Sequence, residues 1–431
     1  MISLEDLASI TGGRWLAEGT GAIAGASIDT RTLDAGQAFF AFPGERTDGH
    51  DFLDQAADRG AIVAIVERDV PAPAGLAVLQ VRSVRSALWD LAKHYRTAIS
   101  AHVIAVMGSN GKTTTVRMLQ SVLGRAMRTH ASARSFNNAL GLPLTILNCP
   151  PDAESLICEL GEGEPGALAR YTSLARPDVA IVTSVGRAHV GELGGQEAVR
   201  SEFVSSIAAL RDGAAVVLPE AEASLDVPVG LRVCVAKAWH EDGRVAFELA
   251  DGSCWRLPVP GDHNAQNAAG VIAVARRLGV ADGVISEGLE RFEPADMRLS
   301  IRSIGGARVI VDCYNANPDS VSVALRTLED LAQGERKVAV LGDMLELGED
   351  SAAWHREMID HATAVADECV FVGTLCQDAC QDGELACFAT ADEAREHVAG
   401  LLQPGTIALL KGSRGIALER LLENAGESAV A

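Results

Sequence analysis

The chain has 431 residues, 48% of them hydrophobic and 22% charged, and a formal net charge of −21. That length exceeds what one hydrophobic core holds, so two or three domains are expected. The acidic balance excludes a general binder of nucleic acid or anionic membrane, which needs basic surface, but not a small phosphorylated ligand held by a few cations and backbone amides.

Over the first hundred residues, short apolar runs separated by polar turns predict strands. A helix around "FLDQAADRGA" and a strand "AIVAIVE" follow, then a helix over "SVRSALWDLAKHYRTAI" with Leu88, Leu91, Ala92 and Tyr95 on one side. From about residue 101, buried strands alternate with helices. "HVIAVMG", "SLICELG", "PDVAIVTSVG" and "AAVVLP" read as strands, and "RVAFELADGSCWRLPVPG" as a pair joined by an Asp-Gly turn. "HNAQNAAGVIAVARRLG" reads as a helix ending at Gly279. The alternation restarts after "RFEPADMR" with "ARVIVDCYN", a helix from about Ser320, "KVAVLGD", a helix around "AAWHREMIDHA", "ECVFVG" and "TIALLKGS". This describes an α/β protein with a parallel central sheet and a second, smaller α/β unit of about 135 residues, an ordinary domain size.

No apolar run approaches the roughly 18 residues of a membrane span. Glu5 and Asp6 stand where a signal peptide carries positive charge, so a cytoplasmic protein is expected. The nine cysteines are odd in number and lack paired CxxC spacing; Cys376, Cys380 and Cys387 have no neighbouring histidine in sequence, so reduced structural thiols are expected.

The stretch "MGSNGKTTT", residues 107–115, carries the chemistry. A general phosphate-binding loop reads G-x-x-x-x-G-K-[ST], and its first glycine would fall on Val106. The context is nevertheless right: an apolar strand runs into Gly108, and a helix begins at Lys112 and Thr113. Backbone amides of Gly108, Ser109, Asn110 and Gly111 would cradle phosphates, with Lys112 on the β/γ oxygens and the Thr113 hydroxyl on Mg²⁺. The bland reading is a strand, turn and helix with an incidental lysine.

The shortened form, G-S-N-G-K-T-T, resembles the loop of the Mur ligases and the folylpolyglutamate synthases, in which Val106 is no defect. The likeness continues in order and nearly end to end. "SIDTR" with "FPGERTDGHDF" is similar to the amino-terminal signature of the muramyl-peptide ligases. "SFNNALGLPLTIL", "DCYNANPDS", "VLGDMLELG" and "KGSR" resemble the branch that adds D-alanyl-D-alanine to a UDP-MurNAc-tripeptide. The resemblance implies three domains: 1–98 for the UDP-sugar, 99–294 a P-loop parallel-sheet domain for ATP, and 295–431 a Rossmann-like ligase domain that closes over both. It also implies a monomer with ATP and Mg²⁺ as cofactors.

It further implies roles for single residues. Glu159 and His189 join Thr113 as metal ligands, and Lys112, Glu159, His189 and Arg298 form the catalytic set. Thr114, Asn264, Asn267, Arg298, Asp312, Tyr314, Asn315 and Asn317 complete the nucleotide site. Ser27, Thr30, Arg31, Gly44, Glu45, Asp48 and His50 match the uridine loop, Asn137 and Asn138 the peptide cleft, and Lys411, Ser413 and Arg414 a substrate loop. Taken singly, a strand-end Glu, a lone His or an Asp-led turn is more often structural. The reaction implied is ATP-dependent amide formation through an acyl phosphate, a chemistry served by cations and positioning rather than a nucleophilic side chain. The alternatives are a relative acting on another peptide acceptor and a nucleotide-binding homologue with impaired catalysis. "SIDTR" and "GERTDGHDF" argue against folate.

Three departures stand out. Ser184 replaces an Asn in "TSVG", and "GEGEPG" follows Glu159 where the family has G-x-N. Arg200 in "EAVRSEF" stands where the family has a carbamylated lysine, if Glu202 is the aligned acid. A guanidinium cannot carry that carbamate. Either His189 and substrate hold the second metal alone, or Arg200 supplies charge directly, or the alignment shifts here. The expectation is one firm Mg²⁺ and a weak or absent second site.

Overall fold

A computed structural model describes residues 1–44, 47–133, 136–222, 224–227, 230–241, 243–380, 385–423 and 427–428. Three main sheets follow one another along the chain. The first has five strands in the order Arg14–Ala17, Ala77–Gln80, Val63–Val66, Ala38–Phe40, Ala26–Ser27. All its pairings are parallel except that of Arg14–Ala17.

The second sheet has six parallel strands in the order Gly230–Val233, Ala215–Pro219, Val179–Val182, His102–Met107, Ser155–Glu159, Thr129–Ala131. Val103 to Met107 are wholly buried, as strands with helices on both faces require. His102–Met107 lies between Val179–Val182 and Ser155–Glu159, so the connections diverge at its carboxyl end. In open α/β sheets ligands bind in the crevice made there. Gly108, Leu160 and Thr183 all leave their strands at that edge.

The third sheet has seven strands, of which Ala386–Phe388, Glu368–Val372, Arg336–Gly342, Thr406–Lys411 and Ala307–Val311 run parallel. Ser300–Ile304 pairs antiparallel with Ala307–Val311 and with residues 427–428.

The sequence-predicted helices fall where expected, with shifts at their starts. The helix expected from about Ser320 spans Pro318–Leu331. Asn317 caps it in a reciprocal box with Ser320, and Pro318 occupies the first turn. The Asp-Gly turn does join two antiparallel strands, Arg244–Leu249 and Cys254–Leu257. A third strand, Val235–Glu241, pairs with the first of these but shows no clean apolar alternation, which is why periodicity did not reveal it. Burial pushes the Cys158 thiol up to about 12 and Cys149 and Cys369 to about 11, as inert core thiols require.

The helix Val84–Ala98 joins the first two sheets. Leu88, Leu91, Ala92 and Tyr95 are buried, the Tyr95 hydroxyl donates to Cys149 O at 2.8 Å, and Trp89 Nε1 donates to Ala139 O at 2.8 Å. One apolar core runs from Ile2 through this helix to Leu225. Leu91→Ala is expected to cost about 2–5 kcal/mol, the usual range for a fully buried leucine. Because the core is shared, denaturant unfolding of both sheets should shift together. A shift confined to one transition would contradict a shared core.

Candidate active site

The loop that follows His102–Met107 is held from both sides. Gly108 (φ 145°) and Gly111 (φ 82°) lie in backbone regions that side chains avoid. A Cβ on Gly111 would come within 2.7 Å of the Asn267 amide, so the loop packs directly on the helix Asp262–Arg277. Ser184, the departure from the family's Asn, is part of the support: its carbonyl accepts from Ser109 N at 2.8 Å and its hydroxyl from Asn110 N at 3.1 Å. The helix Lys112–Leu123 begins with its amino end at the loop, as an anion-binding turn requires.

Around this loop lies a cleft of about 770 Å³ between the second and third sheets. Ser109 to Thr114, Asn137, Asn138, Glu159 and His189 line it from the central side, with Asn264 and Asn267. Arg298, Asp312, Tyr314, Asn315 and Asn317 face them, with Lys411, Ser413 and Arg414. The structure thus brings together the candidates from the central and carboxyl-terminal regions. Ser27, Thr30, Arg31, Gly44, Asp48 and His50 do not line this cleft. Glu45 lies outside the described residues.

Glu159 is buried, and its Oε1 accepts from Asn137 Nδ2 at 2.8 Å and from the Thr113 hydroxyl at 3.2 Å. Its Oε2 is buried with no hydrogen-bond partner. A hydroxyl beside a carboxylate with a spare oxygen suits a hard cation such as Mg²⁺. Lys112 Nζ donates to Gly108 O at 2.5 Å and to Glu162 Oε2 at 2.9 Å. Glu162 falls in the departing "GEGEPG" segment.

His189 has a non-glycine backbone in the left-handed region (φ 55°) and offers Nδ1 to Glu192 at 2.9 Å and Glu346 at 3.0 Å. Burial would lower its pKa, but the Glu346 hydrogen bond and the Glu162 charge outweigh it and raise it. The hydrogen bond from His189 in turn lowers that of Glu346. Glu346, Met297 and Leu299 are also left-handed non-glycines, and the last two flank Arg298. Such strain concentrates where surrounding structure fixes a functional geometry. The Arg298 guanidinium stacks over Tyr314 at 4.3 Å. Desolvation, helped by the nearby Lys411 charge, pushes His263 down to about 4, so the ring in the cleft wall is neutral. Lys411 is buried and donates to Asp312 at 2.7 Å and Asn315 O at 3.1 Å.

The two walls are latched by residues that sequence reasoning missed. Arg187 pairs with Asp319 at 2.7 Å, lies over Trp354 at 4.5 Å and reaches Glu357 at 3.5 Å. Asn110 and Asn317 also bond across the cleft, at 2.9 Å. An arginine latch has no local signature, because its partners come from another sheet. Arg187→Ala is expected to cost about 1–2 kcal/mol of closure, a 5- to 30-fold shift toward open forms. Small-angle scattering should then show a larger radius of gyration; an unchanged radius would contradict the latch.

Arg200 corrects an expectation. Its guanidinium donates to Ser224 O at 2.7 Å and does not line the cleft, so no fixed positive charge replaces the family's carbamate there. Glu202 is buried and accepts from the amides of Gly166 at 2.5 Å and Leu168 at 3.4 Å, a helix-capping role. A second grouping, Asp343, His355 and Cys376, is buried near the third sheet. Asp343 accepts from Leu375 N and Cys376 N, and His355 Nε2 from Met344 N, so these groups are committed to backbone.

In the short 3-10 turn Thr30–Thr32, which follows the first-sheet strand Ala26–Ser27, Thr30 is buried and bonds Gln55 at 3.1 Å, while Arg31 projects outward beside Asp29. Asp48 accepts from His50 Nδ1 at 2.6 Å and from Arg68 at 2.6 Å, and His50 Nε2 accepts from Glu67 N at 2.9 Å. Asp48 and His50 therefore hold their own loop together.

Three family models match consecutive stretches: "Mur ligase family, catalytic domain" over residues 22–96, "Mur ligase middle domain" over 106–227, and "Mur ligase, glutamate ligase domain" over 297–414. The UDP-N-acetylmuramoyl-tripeptide–D-alanyl-D-alanine ligase of Bacillus subtilis is 31% identical over 94% of each chain. That of Escherichia coli is 31% identical over 92% of each. The MurF crystal structure from Acinetobacter baumannii superposes with a TM-score of 0.87 at 32% identity over 97% of each chain. MurF ligase from Thermotoga maritima, solved with ADP, gives 0.81 at 26% identity over 93% of this chain and 96% of that one. With matches of this extent in sequence and structure, the chain belongs to the Mur ligase family.

Proposed function

We propose that the chain joins D-alanyl-D-alanine to the terminal carboxylate of a UDP-MurNAc-tripeptide, using ATP, in the cytoplasmic synthesis of peptidoglycan precursor. The observation that carries this reading is the single cleft in which Lys112, Thr113 and Glu159 face Arg298 and Lys411. The names of the relatives set the substrates.

In this reading the amides of residues 108–113 hold the β- and γ-phosphates, and Lys112 leaves Glu162 for their oxygens. Mg²⁺, held by Thr113 and Glu159, neutralises phosphate charge when bound. Arg298, fixed over Tyr314, approaches the phosphates from the other wall. The acceptor carboxylate attacks the γ-phosphorus and ADP leaves. The amine of D-alanyl-D-alanine then attacks the acyl carbon, and inorganic phosphate leaves with the acyl C–O bond broken. Asn137 and Asn138 border the acceptor peptide, and Ser413 and Arg414 the incoming dipeptide. Residues 1–98 hold the uridine end through Thr30 and Arg31, 99–294 the nucleotide, and 295–431 the incoming amine.

An ADP-release assay over a panel of amines and UDP-peptides tests the assignment. Turnover should require both D-alanyl-D-alanine and the tripeptide form. Equal turnover with single amino acids, or with a UDP-dipeptide acceptor, would point to another member of the family.

A further inference from the structure

Two neighbouring parallel strands of the third sheet, Arg336–Gly342 and Thr406–Lys411, end side by side, and the loops leaving them share one corner of the cleft. Among the described residues, Leu345 is the one exposed large apolar side chain that lines this cleft; it is 39% exposed. Met344 and Leu347, close to it in the chain, are buried in the apolar core of that unit. Apolar side chains scattered over a surface are ordinary, but one turned into a ligand cleft marks a contact surface.

Leu345 is held there. Its amide donates to Ser413 Oγ at 2.9 Å, and Ser413 N donates to Asp343 O at 3.0 Å. Met344 N donates at 3.0 Å to Nε2 of the buried His355, whose Nδ1 donates to Ser351 O at 2.7 Å. Glu346 O accepts from Gly191 N at 3.1 Å. Three consecutive residues are thus pinned, and the leucine cannot withdraw into the core without breaking these bonds. A Cβ on Gly415 would lie 3.2 Å from Leu345 Cδ1, so the side chain rests directly over the turn Arg414–Ile416. Ser413 and Arg414 border the incoming dipeptide in the reading above, and Glu419 holds the Arg414 guanidinium in place. A guanidinium is the natural partner of the one carboxylate that the dipeptide carries. A carboxylate at Arg414 brings the methyl group of the carboxyl-terminal residue against Leu345.

We propose that Leu345 determines specificity for the second residue of the incoming dipeptide, by filling the space beyond its methyl group. This rests on the ligase reading above. A methyl group gains an apolar contact, and a larger side chain collides with a leucine that cannot retreat. A charged side chain is left against an apolar wall. In this arrangement Leu345 meets neither the nucleotide nor the reacting carboxylate, so its effect falls on the dipeptide alone.

The test is ADP release by the full chain with D-alanyl-D-Xaa and with D-Xaa-D-alanine, where Xaa is alanine, valine or leucine. The wild type should prefer alanine at the second position. Leu345→Ala should lower kcat/KM for D-alanyl-D-alanine and raise it for D-alanyl-D-leucine, narrowing that preference about 10-fold or more. KM for ATP and for the UDP-tripeptide should stay as they were, as should the preference at the first position. Gly415→Ala, which presses Leu345 into the cleft, should widen the second-position preference instead. An unchanged preference in Leu345→Ala, or an equal change at the first position or in KM for ATP, would overturn the role of Leu345 and leave the ligase reading standing. A wild-type chain that uses none of these dipeptides would overturn the ligase reading, and this inference with it.

Discussion

Lys112→Ala is expected to reduce kcat/KM at least about 1,000-fold, the scale at which a cation on a transferring phosphoryl group is felt. Read from the sequence alone, a lysine on a turn carries little packing, and such a variant should fold as well as the parent. The structure changes that expectation. The Lys112 side chain is 12% exposed and compensates Glu162 at 0%. Removing one member of such a pair strands a buried charge at a cost of about 3–5 kcal/mol. The variant should therefore be both inactive and destabilised. Lys112→Ala with Glu162→Gln separates the two effects: stability should return and activity should not. Activity that recovered with stability would show that Lys112 is structural, and near-normal turnover in Lys112→Ala would sink the phosphate-loop reading.

Gly108→Ala carries the second large effect. A Cβ there would lie 1.9 Å from Thr183 Oγ1 and 3.0 Å from the amide nitrogens of Thr183 and Ser184, at a φ of 145°. Neither obstacle can yield easily. Thr183 Oγ1 is tied to Met107 O at 3.2 Å and to Asn110 O at 2.5 Å, and the amides belong to the chain leaving the neighbouring strand. The loop must move off that strand, and the amides that would face phosphate move with it. Affinity for ATP should fall about 100-fold or more, with about 2–4 kcal/mol of stability lost to backbone strain and overpacking. Calorimetric titration with ATP reads the first effect and chemical denaturation the second. An unchanged ATP affinity would mean that the loop does not bind phosphate.

What was legible in the sequence follows from the range of the interactions involved. Strands such as His102–Met107 and Arg336–Gly342 contain continuous apolar runs, over 103–107 and 338–341, and a helix such as Val84–Ala98 has an apolar stripe. These patterns depend only on neighbours a few residues away. The phosphate loop was legible for the same reason, being one turn with fixed geometry. Other features depend on residues far apart. Val235–Glu241 becomes a strand by pairing with Arg244–Leu249, not by its own pattern. Glu162 fills the variable position of the departing G-x-N segment and carried no signal there, because its partner Lys112 is 50 positions away. Arg187 finds Asp319 across 132 positions. Arg200 shows the converse: alignment placed it at a metal, and side-chain direction took it to Ser224 O.

The central claim is that a carboxylate is activated by the γ-phosphoryl group before the amine arrives. The most direct measurement uses acceptor UDP-MurNAc-tripeptide with both oxygens of its reacting carboxylate labelled with ¹⁸O, and follows the label by mass spectrometry. An acyl phosphate carries one carboxylate oxygen to phosphorus, and that oxygen departs with the phosphate when the amide forms. The account predicts one ¹⁸O in the inorganic phosphate per amide bond made, none in the nucleotide, and one retained in the product amide. Phosphate without label, or label in AMP, would contradict it.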